Sequence, residues 1–282
     1  MMKTYYMLTK PGIIMGNIVT TAAGFILASK GHFDVALFFI TLAGLGFIIA
    51  SAGVFNNYID RHMDAKMERT KNRAIPSGQV SHQNALIFGS ILCLIGITVL
   101  SYTNLLTVGV ALTGFFVYLV LYAFMKYRSF YGTLIGSIAG AVPPVVGYCA
   151  VSGRLDLAAF LLFMIVVLWQ MPHFFAIAIY RMDDYAAASI PVLPIEKGVY
   201  ITKIHMLMYI LVFMMTALLL TAAGYTGYLY AAIVCGLSLC WLGFCLKGFS
   251  AKNDKRWAHR MFVFSLVVIM GLCVAIPFDI LN

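Results

Sequence analysis

Charge is what this sequence has least of. Only 10% of the 282 residues are Asp, Glu, Lys or Arg, against about 25% in a soluble globular domain. That scarcity excludes a soluble domain with a charged surface, and equally a disordered chain kept solvated by its charge. The cysteines, at 93, 149, 235, 240, 245 and 273, have no C-x-x-C spacing, which argues against a zinc or dithiol site. All six fall in apolar runs and read as small buried apolar residues. The opening MMKTYYMLTKPG is too polar for the apolar core of a signal peptide, so the first apolar run is expected to be retained.

What is abundant is apolar sequence, at 62%. A hydrocarbon core of roughly 30 Å asks for about 20 residues per helix, and runs of that length recur along the whole chain. Nine spans are expected, over 12–29, 36–56, 84–101, 105–124, 131–151, 157–180, 204–222, 227–246 and 261–278. They leave no long polar segment, so residues 1–282 read as a single all-α integral membrane domain. The net charge of +9 does not require a nucleic-acid partner, because the cations alternate between loops. Of the 19 basic residues, all but Lys30 and Arg154 fall on the N-terminal segment and on every second connection. By the positive-inside rule that side is cytoplasmic, giving N-in and C-out after nine crossings. The expected location is a bacterial inner membrane.

Two connections on the basic side are long, 57–83 and 181–203, and long loops tend to carry function. Each follows a span that ends in acids, four crossings apart, a spacing that hints at a repeated four-helix unit. The first reads NNYIDRHMDAKMERTKNRAIPSG. Asn56, Asp60 and Asp64 recur every fourth residue, so on a helix they advance by about 40° per step and line one face. An all-oxygen, carboxylate-bearing set of this kind suits Mg²⁺, which completes its shell with water and substrate phosphate. Arg69 and Arg73 follow, and Lys126 and Arg128 lie on the next basic connection. With a metal they form a set able to neutralise a diphosphate.

The sixth span ends WQMPHFFAIAIYRMDDYAAASIPVLP. Separated by seven and four residues, His173, Tyr180 and Asp184 share a helix face, with Asp183 turned about 100° away and His173 roughly 16 Å deeper than Asp184. A histidine inside a span is expensive to bury and points to function by default; the competing reading is a hydrogen bond between helices. In the fifth span Gly132, Gly136 and Gly140 make a stripe that reads first as close helix packing. Pro143, Pro144 and Pro172 interrupt backbone hydrogen bonding in the fifth and sixth spans, as happens beside membrane cavities.

The N-x-x-x-D-x-x-x-D run followed by R-T-x-x-R, with a second acidic cluster four spans on, resembles the UbiA superfamily of intramembrane prenyltransferases. KPGIIMGN (10–17), FNNYIDRHMDAKMERTKNR (55–73), YGTLIGSIAGAVPPVVGY (131–148) and WQMPHFFAIAIYRMDDYAAASIPVLP (169–194) resemble more narrowly its haem-farnesylating branch, the protoheme IX farnesyltransferases. The resemblance implies nine helices around a central cavity, farnesyl diphosphate and haem b as substrates, Mg²⁺, and a link to a haem-copper terminal oxidase. It implies that Asn56, Asp60 and Asp64 form the first diphosphate and metal motif and that Asp183 and Asp184 belong to the second. Asp60, Asp64, Asp184 and Tyr180 become the candidate catalytic residues, Asn56, Arg69, Arg73, Lys126 and Arg128 the diphosphate contacts, and His173 the haem contact. Relatives that prenylate aromatic rings usually carry D-x-x-x-D at the second motif. Here Tyr180 stands for its first acid, as in the haem branch, and leaves that ligand set open. Ala74 stands where many members have proline. A quinone-precursor prenyltransferase is the nearest alternative, since it would share the first motif. A secondary transporter is more distant, because its site would sit near the bilayer midplane rather than at span ends.

Overall fold

The computed structural model describes residues 2–281. Its helices in chain order are α1 (Met2–Leu8), α2 (Pro11–Ser29), α3 (Val35–Asp64), α4 (His82–Leu100), α5 (Leu105–Phe116), α6 (Ala123–Met125), α7 (Gly132–Gly140), α8 (Val142–Ser152), α9 (Leu157–Tyr180), α10 (Met182–Ala187), α11 (Leu193–Glu196), α12 (Gly198–Ala222), α13 (Tyr228–Lys247) and α14 (Asp254–Ala275). A π-helical segment, Val117–Tyr122, joins α5 to α6. Among the described residues nine helical stretches are long and apolar enough to cross a membrane, matching the nine expected runs in order. The chain is an all-helical, multi-pass membrane protein.

Several starts are marked by side-chain caps. The Leu37 N–H donates to Asp34 at 2.9 Å, the Thr107 N–H to Asn104 at 2.9 Å and the Ala158 N–H to Asp156 at 3.0 Å, each satisfying an orphan donor of a first turn. Helix limits outrun the apolar runs at the polar ends. α3 continues eight residues beyond the expected 36–56, to Asp64, so Asn56, Asp60 and Asp64 do share one unbroken helix. α12 and α14 likewise begin before the expected 204 and 261.

With lipid as apolar as leucine, helices associate through close packing of small residues. A Cβ on Gly147 would fall against the Thr21 carbonyl, and one on Gly24 against the Pro144 carbonyl, so α2 and α8 meet backbone to backbone. α3 and α4 approach similarly, where a Cβ on Gly96 would lie 2.9 Å from the Gly44 carbonyl oxygen and the Ser51 hydroxyl donates to the Gly89 carbonyl at 2.7 Å. The glycine stripe of the fifth span is used the same way. Gly132 faces the Lys126 backbone, Gly136 the Tyr122 ring and Gly140 the Gln170 carboxamide.

The Pro143–Pro144 pair divides the fifth span into α7 and α8 at Ala141. The Ala141 N–H turns to Ile138 O, and the Ser137 carbonyl accepts instead from Gln170 Nε2 at 3.2 Å, a buried repair of an interrupted ladder.

Two expectations need correction. The cysteines are free, but only Cys149, Cys245 and Cys273 are buried; Cys240 is exposed and Cys93 and Cys235 are half-buried. Hydropathy does not separate a lipid-facing position from a core one, because both reward apolar side chains. The sixth span also does not continue to Asp184. α9 ends at Tyr180, Arg181 leaves helical geometry at φ −107° and ψ 24°, and α10 restarts at Met182. Beyond it Ala188, Ile190 and Val192 bury against Met67 and Ala178, drawing the second long connection back towards the first.

Candidate active site

Helices α2, α3, α5, α7, α8, α9 and α14, with the two long connections, enclose a cavity of about 740 Å³, within the range of small-molecule and cofactor sites. Among the described residues none of its lining comes from α4, α12 or α13, which brace it from outside. One end is polar, lined by Lys10, Asn56, Asp60, Asp64, Arg69, Arg73, Lys126 and Tyr127. The walls beyond are mostly apolar, with Ile48, Phe115, Val166, Phe174 and Ile269 among them, and His173 lies on this deeper part.

At the polar end Asn56, Asp60 and Asp64 are 2%, 6% and 2% exposed, burial that carboxylates tolerate only with partners. Asp60 accepts from Lys126 Nζ at 2.5 Å and from the Tyr127 hydroxyl at 2.6 Å. Burial and the Asp60 charge push the Tyr127 phenol well above its ordinary pKa, so it serves as donor. Asp64 accepts from Arg73 at 2.7 Å. Lys10 donates to Asn56 Oδ1 from a left-handed backbone, φ 56° and ψ 62°, a strained conformation for lysine. Burial lowers its ammonium to about 7. Each motif side chain therefore meets a group with phosphate-binding chemistry.

These residues fit a Mg²⁺ ion. Their donors are hard oxygens on one helix face, and the Asn56 amide nitrogen is buried without a partner, a sign that this end is arranged for something besides its own contacts. Among the described residues no group of three or more His, Cys, Asp or Glu could form a closed metal cage. The set suits a metal that shares its shell with water and substrate phosphate.

The remaining candidates divide. Arg69 lines the cavity, and its Nε is 3.8 Å from Asp184, which also lies 4.0 Å from Arg181. Asp184 thus reaches the site through Arg69, and the two acidic span ends do converge. The expectation that Asp183 joins them is not met, since its side chain is 79% exposed and paired with Lys255. Nor does Tyr180 share the cavity with His173. Its ring packs on His259 of α14 at 4.8 Å and lines a separate outer cleft with Lys255 and Arg256. Arg128 is exposed and lies over the Phe124 ring at 3.7 Å. It takes no part in the cavity lining.

The description "UbiA prenyltransferase family" belongs to the family model that matches residues 17–267. The chain belongs to this family. Among curated relatives, a "Protoheme IX farnesyltransferase" from Protochlamydia amoebophila is 55% identical over 283 residues, covering 100% of both chains. Among solved structures, one of a digeranylgeranylglyceryl phosphate synthase superposes with a TM-score of 0.81 at 18% identity, covering 98% of this chain and 97% of the other. A UbiA homologue from Archaeoglobus fulgidus bound to GPP and Mg²⁺ gives 0.74 at 12% identity, covering 97% and 99%. At these identities the structural likeness speaks for the UbiA fold alone.

Several cavity residues of this UbiA chain carried no sequence assignment, Tyr127 among them. Tyr118 and Tyr122 stack at 5.4 Å across the π-helical segment, and Lys126 Nζ lies 5.3 Å from the Tyr122 ring. Their signal was the four-residue spacing 118, 122, 126, the same spacing that singled out the acidic motif. Lys10 had only its place in KPG, because a left-handed lysine has no sequence signature. Gln170 could be tied to the Pro143–Pro144 break only once α7 and α9 were seen to pack.

Proposed function

We propose that the protein transfers the farnesyl group of farnesyl diphosphate to a vinyl group of haem b, with addition of water, releasing diphosphate. The observation that carries this reading is a single cavity with carboxylates and cations at one end and an apolar, histidine-bearing interior at the other. The name of the full-length relative from Protochlamydia amoebophila supports haem as the acceptor, and the Mg²⁺ bound to the Archaeoglobus homologue supports the metal.

In this reading Asn56, Asp60 and Asp64 would hold a Mg²⁺ ion, which would supply positive charge to the departing diphosphate. Lys10, Arg69, Arg73 and Lys126 bind the phosphate oxygens, exchanging carboxylate partners for phosphate ones without leaving the polar end. Asp184 orients Arg69. The C1–O bond of the farnesyl group breaks with its electron pair going to diphosphate, and C1 bonds to the terminal vinyl carbon. The positive charge then next to the porphyrin ring takes up water and loses a proton. The apolar walls lined by Ile48, Phe115 and Val166 hold the prenyl chain and keep water away until the carbon–carbon bond has formed. His173 contacts the haem.

The distribution of basic residues supports a bacterial inner membrane with the polar end of the cavity facing the cytoplasm. The product would supply a haem-copper terminal oxidase. Diphosphate release from farnesyl diphosphate and Mg²⁺, measured with haem b or with an aromatic quinone precursor as acceptor, tests the reading. Release that depends on haem is expected. Release that depends on the aromatic acceptor instead would favour the quinone alternative.

A further inference from the structure

His173 is 9% exposed, and its environment determines which ring nitrogen faces the cavity. His173 Nδ1 lies 2.7 Å from Ser265 Oγ on α14. The same Oγ lies 2.6 Å from the Phe262 carbonyl oxygen, which has no hydrogen to give. Ser265 has one hydroxyl hydrogen, and that contact consumes it. Ser265 Oγ is therefore left as an acceptor, and Nδ1 must carry the hydrogen of the neutral imidazole. Nε2 is then a bare lone pair. It has no hydrogen-bond partner among the described residues, while the ring lines the cavity.

Ser265 holds the ring in a second way. Trp169 Nε1 donates to the Ser265 carbonyl at 2.7 Å, and the Trp169 indole stacks on the imidazole at 4.8 Å and 28°. Phe262 closes on the ring from α14 at 5.1 Å. The imidazole is thus clamped between α9 and α14, with one nitrogen anchored and the other presented.

We propose that Ser265 is a positioning residue for the acceptor substrate: it fixes His173 as the Nδ1–H tautomer and so presents Nε2 as a ligand to the haem iron. This rests on the haem reading above. A hydrogen bond from the far nitrogen of a ligating histidine sets its tautomer, orientation and basicity, and losing such a partner typically costs roughly 10–100-fold in metal affinity. Ser265 touches neither the diphosphate end nor the prenyl chain in this assignment, so its effect is confined to haem.

The test uses purified full-length protein, Ser265→Ala, Ser265→Thr and His173→Ala. Histidine ¹⁵N NMR of the wild type, with His173→Ala assigning the signal, is expected to find Nδ1 protonated; a protonated Nε2 overturns the proposal without any serine variant. Haem titrated against absorbance is expected to bind Ser265→Ala roughly 10–100-fold more weakly, with an altered spectrum. Affinity for a non-hydrolysable farnesyl diphosphate analogue is expected to be unchanged, and Ser265→Thr, which keeps the hydroxyl, restores the wild-type spectrum. Wild-type haem affinity and spectrum in Ser265→Ala would overturn the proposal. If His173→Ala binds haem as the wild type does, iron ligation by His173 is overturned, whereas failure of the farnesyl transfer reading would show separately, as haem binding without haem-dependent diphosphate release.

Discussion

Replacing Asp60 by Asn keeps the side chain's shape and removes its charge at the centre of the polar end. Asp60 is 6% exposed and accepts from Lys126 at 2.5 Å and Tyr127 at 2.6 Å. An Asn retains one acceptor oxygen and turns an NH₂ towards one of these two donors. Leaving a largely buried ammonium poorly matched costs about 1–3 kcal/mol, and Lys126 lines the cavity, where water can reach it, so the lower part of that range is expected for stability. Turnover suffers more. Removing one preorganised group that stabilises charge developing in the transition state typically costs about 3–4 kcal/mol, or roughly 10²–10³-fold at 1.36 kcal/mol per decade. Initial rates of diphosphate release at saturating haem and farnesyl diphosphate, with Mg²⁺ titrated, should fall by that factor and need more Mg²⁺ for half-maximal rate. Thermal unfolding should remain a single transition close to that of the wild type. A rate within threefold of wild type at an unchanged Mg²⁺ requirement would refute the assignment of Asp60 to the metal.

Arg73→Gln removes the 2.7 Å partner of Asp64 together with a phosphate contact, and should weaken binding of a farnesyl diphosphate analogue by roughly 10–100-fold, the range of a charge-assisted hydrogen bond; equal weakening of haem in parallel titrations would contradict it. Asp183→Ala should leave turnover within about twofold, as expected for an exposed position away from the site, and a loss comparable to that of Asp60→Asn would return Asp183 to the metal site. A reporter fused after the C-terminus should be active only outside the cytoplasm, as the basic-residue asymmetry requires; cytoplasmic activity would invert the orientation.

The spans were legible because a bilayer leaves few alternatives. Backbone polar groups must bond within the helix, and runs of spanning length without charge announce themselves. The acidic motif was legible for a related reason, since Asn56, Asp60 and Asp64 need only one continuous helix to share a face, and α3 provides it. The second motif was not. Nothing in YRMDDYAAAS breaks a helix by composition, so spacing alone puts Tyr180 and Asp184 on one face. The break after Tyr180 accompanies the burial of Ile190 and Val192 against Met67, a contact between segments more than a hundred residues apart. The anchoring of His173 by Ser265 was hidden for the same reason, since a serine in the last span has no local signal that it faces a histidine in the sixth. Cys240, predicted buried and found exposed, marks a different limit, the equivalence of lipid and core in any apolar pattern.

The proposed reaction joins a farnesyl group to haem within one cavity. Its most direct test is mass spectrometry of the haem recovered after purified protein is incubated with haem b, farnesyl diphosphate and Mg²⁺. A haem heavier by one farnesyl group plus one hydroxyl group is expected, formed by the wild type and lost in Asp60→Asn. Recovery of haem b unchanged, while the same protein farnesylates an aromatic acceptor, would contradict it.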